Sequence, residues 1–137
     1  NYFTDLARRY VGKFVAVIAF NPDLSRKIYS GADLFLMPSK SEPCGLSQMI
    51  ASRYGTVPIV RETGGLYDSI KPVGNGGNGF TFANYNAYDM LYVIREAINC
   101  YYNKDFWPEL MKRVMSVDFS WQRSAKEYEK VYGEMLK

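Results

Sequence analysis

Short apolar runs punctuate this chain, and each gives way to a turn and then to a helix-like pattern. The clearest case spans Leu34 to Tyr54. Leu34-Phe35-Leu36-Met37 has the length and composition of a strand. Pro38-Ser39-Lys40-Ser41-Glu42-Pro43-Cys44-Gly45-Leu46-Ser47-Gln48 follows as a turn and helix start, and Met49 to Tyr54 reads as helix. The run Phe14 to Ala19 is likewise followed by Asn21-Pro22-Asp23, a helix-opening signal, and Val57-Pro58-Ile59-Val60 is a third such run. Continuous rather than alternating apolar strands suit a parallel sheet buried on both faces. Parallel neighbours need a crossover, and a helix supplies it with right-handed sense. The order α-β-α-β-α-β therefore predicts an α/β fold, in which ligands sit at the carboxyl ends of the strands.

The remaining boundaries follow from local chemistry. Tyr2 to Tyr10 reads as a short helix ended by Gly12-Lys13. A helix opened by Pro22 runs to about Tyr29 and stops near Gly31, and the helix Leu46–Tyr54 ends at Gly55. Pro58 argues for an edge strand or a strand start, because proline cannot donate to the ladder. Between Asp68 and Asn84 the pattern breaks into a glycine-rich loop, with Phe80-Thr81-Phe82 as a short strand. Asn86 then caps a long helix, and two more cover about 106–117 and 121–136, with Ser120 as the last N-cap. No repeat or dividing linker is visible. Three strands are few for a doubly wound sheet. Residues 1–137 are thus expected to be one unit, the C-terminal half of a Rossmann-like domain with earlier strands upstream of Asn1, and with a helical C-terminal tail.

Composition narrows the function. The chain is 47% hydrophobic, which excludes a disordered segment. Its formal charge of +3 is too mild, and its basic residues too dispersed, for a nucleic-acid partner. With no histidine and only Cys44 and Cys100, a zinc site, a disulfide framework and a histidine-activated nucleophile are not expected. No apolar run approaches the ~20 residues of a membrane span. The reading therefore includes no metal, no cofactor, no nucleic acid and no membrane.

Chemistry is expected at the strand ends. Glu42 is a carboxylate held in the turn after a strand. It is either a ligand-facing acid or an ordinary acid beside a helix N-terminus. Gly45 permits close backbone approach, or simply a tight turn. The N–H groups near Leu46 and Ser47 offer an anion site, with the Ser47 hydroxyl beside them. Cys44 is read as lining the site without acting as a nucleophile, because no base is near in sequence to activate it. Thr63-Gly64-Gly65 follows the third run, where paired glycines suggest a backbone passing close to something. Phe20 lies just past the first run and serves either as an aromatic platform or as a core residue. Trp121 and the tyrosines 54, 101, 102, 128 and 132 are read as packing residues.

Glu42-Pro43-Cys44-Gly45-Leu46 resembles the signature of glycogen and starch synthases, retaining glycosyltransferases built from two Rossmann-like domains (GT-B). The likeness extends through Gly31 to Ser39, Arg53 to Arg61, Thr63 to Leu66, Asn78-Gly79-Phe80 and Phe119-Ser120-Trp121. Two departures stand out: Ala19-Phe20 where the family commonly has Gly-Tyr, and Ser41 where an aromatic often precedes the glutamate. The resemblance implies a nucleotide-sugar donor, with ADP-glucose favoured, and an α-1,4-glucan acceptor. Glu42 becomes the catalytic carboxylate against the transferred glucose. Cys44, Gly45, Leu46, Ser47, Thr63, Gly64 and Gly65 become the sugar-nucleotide wall, and Phe20 the stack for the base. It implies no metal, a bacterial cytoplasm or a plant plastid, and an inactive chain when isolated. Its basic residues for the leaving diphosphate precede Asn1. A related transferase with another sugar, and a nucleotide-binding module without catalysis, are the alternative expectations.

Overall fold

The computed structural model describes residues 2–136. Three parallel strands form one sheet: β1 (Leu34–Met37), β2 (Val57–Arg61) and β3 (Phe80–Phe82), in the order β1-β2-β3. Seven α-helices accompany them among the described residues: α1 (Tyr2–Arg9), α2 (Pro22–Gly31), α3 (Ser47–Arg53), α4 (Gly64–Ser69), α5 (Ala87–Tyr101), α6 (Phe106–Ser116) and α7 (Trp121–Met135). The α/β architecture with a helical tail is the one the sequence predicts.

The helix starts are those written in the sequence. The Asn21 side chain accepts from the Leu24 N–H at 3.0 Å, with Pro22 opening α2. Asn86 accepts from the N–H groups of Tyr88 and Asp89, each at 2.9 Å, and Ser120 accepts from Arg123 N–H. Gly55 ends α3 in the left-handed region at φ +84°.

Two clusters make the core. On one face of the sheet, Val57, Ile59 and Phe80 meet Ala97 of α5 and Trp107, Leu110 and Val114 of α6. A second cluster joins Val60 to Leu66 and Ile70 at α4, with Met37 against it. β2 is buried over four consecutive residues because both of its faces are covered.

Four expectations change. Phe14–Ala19 is not a strand: it pairs with nothing among the described residues, and Val15 and Ile18 are 77% and 78% exposed. A strand exists only beside a hydrogen-bonding neighbour, whatever its side chains. Pro58 lies in the central strand rather than at an edge, although it does fall at the strand's start, as its second residue. Val57 N–H donates to Asp33 on the β1 side, so by alternation the Pro58 nitrogen faces β3, whose ladder begins only at Ile59–Phe80. α4 is a helix where the sequence suggests only paired glycines passing close to something. Trp121 also departs from its packing role, being 86% exposed on an α7 that buries no residue.

Candidate functional site

The turn after β1 and the start of α4 after β2 meet at the carboxyl edge of the sheet, and they are joined backbone to backbone. Gly65 N–H donates to the Glu42 carbonyl at 3.1 Å and to the Pro43 carbonyl at 3.2 Å. The approach is so close that a Cβ on Gly64 would overlap the Glu42 carbonyl, and one on Gly65 the Cys44 carbonyl. Paired glycines here are a steric requirement of the junction. Gly45 sits at φ +76°, which side-chain-bearing residues rarely adopt, and this sharp turn feeds α3.

The junction groups most of the residues picked out in the sequence. Glu42, Gly45 and Ser47 are half-buried, and Cys44 and Leu46 are exposed. Thr63 and Gly65 are half-buried, with Gly64 exposed between them. Leu46 and Thr63 hold the N-cap positions of α3 and α4, and neither helix has a side-chain cap. Uncapped N-termini leave backbone donors for another partner. The Gly65 N–H is not among these, since it is committed to the turn. Phe20 is not brought to this junction: it is 96% exposed and follows the unpaired run.

Three residues without an assigned role in the sequence reading organise this edge. Gln48 is fully buried and its Nε2 donates to the carbonyls of Gly45 and Cys44. Ser69 accepts from the same amide and donates to the Gly65 carbonyl at 2.6 Å. Arg61, at the end of β2, donates to the Lys40 carbonyl at 2.7 Å and to Ala83 at 3.2 Å, and its guanidinium lies 5.4 Å from the Tyr85 ring. It thereby ties together the turns after all three strands. The signal available in sequence was the spacing of Gln48, Ala51 and Ser52 on one helix face, all of them buried.

A cavity of about 520 Å³ opens beside the turn, lined by Cys44, Leu46 and Met49 on one side and by Asp118, Trp121 and Tyr128 on the other. Hydrogen bonds from the Ser120 side chain and backbone hold the Asp118 carboxyl below the usual carboxylate range. Cys100 lies on α5, where burial, reinforced by the nearby Glu96 charge, pushes its thiol up. Among the described residues no helix is long and apolar enough to cross a membrane.

Residues 8–113 match the family described as glycosyl transferases group 1. The chain is 52% identical to a glycogen synthase of Geobacillus thermodenitrificans and 51% identical to one of Geobacillus stearothermophilus, in each case over 99% of its own length. It spans 29% of the length of either relative. The catalytic domain of starch synthase IV from Arabidopsis thaliana, solved with ADP and acarbose, superposes with a TM-score of 0.86 at 39% identity, over 97% of this chain and 29% of that one. Sucrose-phosphate synthase from Thermosynechococcus elongatus shares the fold, with a TM-score of 0.65 at 23% identity over 97% of this chain and 33% of that one.

Proposed function

Since the chain belongs to the glycosyl transferases group 1 family, we propose that it forms the C-terminal half of the nucleotide-sugar-binding domain of a retaining glucosyltransferase. The reaction is transfer of glucose from a nucleotide-glucose to the non-reducing end of an α-1,4-glucan, as in a glycogen or starch synthase. One observation carries this reading: the Glu42 turn is locked to the paired glycines of α4 at the carboxyl edge of a parallel sheet, where α/β folds bind ligands. ADP-glucose is the favoured donor, supported by the ADP in the starch synthase IV structure.

The residues divide the work as follows. The Glu42 carboxylate accepts hydrogen bonds from the transferred glucose and balances positive charge growing at its anomeric carbon. The turn Cys44 to Ser47 and the residues Thr63 and Gly64 form the wall against the sugar and the distal phosphate, with uncapped backbone N–H groups facing the anion. Displacement occurs on the front face, and the leaving diphosphate takes the proton of the acceptor hydroxyl. Cationic groups that stabilise the diphosphate come from the rest of the enzyme.

This reading also accounts for the unpaired run. In the doubly wound order 3-2-1-4-5-6, the third strand in sequence lies at an edge, separated from the fourth by two others. Phe14–Ala19 takes the place of that third strand, and β1, β2 and β3 those of the fourth to sixth. Its neighbours are then outside these residues, and pairing would bring Phe20 to a carboxyl end, in reach of the base.

The test is turnover of the full-length enzyme with ADP-glucose and UDP-glucose, each with glycogen as acceptor. Transfer from ADP-glucose is expected, with Glu42→Gln lowering kcat by about 10²–10³-fold. Absence of transfer from either donor overturns the reading, and transfer of a different sugar replaces it with a related transferase.

A further inference from the structure

Gln48 closes a circuit of hydrogen bonds through both halves of the junction. Its Nε2 lies 2.9 Å from Gly45 O, 3.2 Å from Cys44 O and 3.1 Å from Ser69 Oγ, three acceptors that share its two N–H donors. Ser69 in turn donates to Gly65 O, and Gly65 N–H donates back to Glu42 and Pro43. The orientation of the amide is dictated by its partners, because two backbone carbonyls can only accept. As a result Oε1 is left buried without a partner. It faces Gly45, where a Cβ would stand only 2.6 Å away.

A buried, unpartnered amide oxygen costs stability. Leucine would fill similar space without that penalty, so packing alone does not account for glutamine here. From this circuit we infer that Gln48 is a positioning residue: it latches the Glu42–Gly45 turn to α4 and so holds the Glu42 carboxylate at the reacting centre. The inference rests on the reading of Glu42 given above.

The experiment uses the full-length enzyme, ADP-glucose and glycogen, with Gln48→Leu, Gln48→Glu and Ser69→Ala. Amide hydrogen exchange at Gly65 is followed in parallel. Gln48→Leu is expected to lower kcat about 100-fold with little change in the donor KM, and to speed Gly65 exchange about tenfold. Gln48→Glu carries a signature that packing cannot produce. Desolvation and the two facing carbonyls disfavour its charged form, so protonation as the pH falls restores a donor. Its activity relative to wild type should therefore rise at least about tenfold between about pH 8 and about pH 6.

Wild-type kcat and wild-type Gly65 exchange in Gln48→Leu overturn the latch. So does a Gln48→Glu profile parallel to wild type at every pH. Should Gln48→Leu fail to fold, Ser69→Ala decides: about tenfold lower kcat with faster Gly65 exchange supports the latch, and no change removes it. A wild-type enzyme that transfers no glucose sinks the functional reading instead, and Gly65 exchange alone then judges the latch.

Discussion

Two apolar runs of near-identical character meet opposite fates in this molecule. Val57 to Val60 is completely sequestered, with Val57 and Val60 at 0% exposure, whereas Val15 and Ile18 in the run 14–19 stand 77% and 78% exposed. Composition does not separate them. Position in the sheet does: β2 has a parallel neighbour on each side and helices on both faces, and the earlier run pairs with no strand among the described residues. Apolar, β-branched sequence states what a segment can become, and pairing decides whether it becomes a strand.

The contrast breaks most visibly at the core. Leu110→Ala, which empties a fully buried site between α6 and the sheet, should cost about 2–5 kcal/mol in denaturant unfolding of this chain. Val15→Ala should stay within about 0.5 kcal/mol. A Val15→Ala cost as large as that of Leu110→Ala would mean the run is packed after all. In the full-length enzyme the two costs should converge, because the proposed strand would then be paired.

A smaller effect is expected at the joint between the regions. The buried Thr56 hydroxyl lies 2.5 Å from Tyr29 O and 2.9 Å from Ala32 O, fastening the end of α2 beneath the sheet. Thr56→Val keeps the volume and removes the donor, so a loss of about 1 kcal/mol is expected. Faster amide exchange in α2 than in β2 should accompany it. Equal acceleration in both would show that the two regions unfold as one.

The smallest effect concerns α7, which like the N-terminal run buries nothing. Asp118 has its carboxyl lowered, chiefly by the Ser120 side chain and then by its backbone. A depressed acid contributes stability above its unfolded pKa of about 3.9, and that contribution is lost as pH falls through the lower folded value. Helicity by circular dichroism should therefore decline slightly on acidification below about pH 4, and Asp118→Asn should flatten that part of the curve. An unchanged acid limb in Asp118→Asn would remove Asp118 from the account.

Much of the fold was legible because its signals are local. Asn21-Pro22, Asn86 and Ser120 start helices through their own side chains, and Gly55 stops one through its backbone. α4 escaped notice because Gly64 and Gly65 are poor helix formers, and their presence answers a contact with the Glu42 turn rather than local propensity. The grouping of Glu42 to Ser47 with Thr63 to Gly65 was likewise readable, as both follow strands. The parts played by Gln48, Ser69 and Arg61 were not. Each acts through carbonyls between 3 and 22 residues away, and nothing in the sequence says which carbonyls those will be.

The sequence by itself determined the alternation of elements, the parallel sense of the sheet and the edge at which chemistry is expected, because periodicity, caps and glycines act within a few residues. Tertiary structure alone decided which apolar run became a strand, that Pro58 could enter the central one, and how Gln48 and Gly65 close the junction. Those outcomes depend on backbone groups meeting partners distant in the chain, and such partners exist only once the chain has folded.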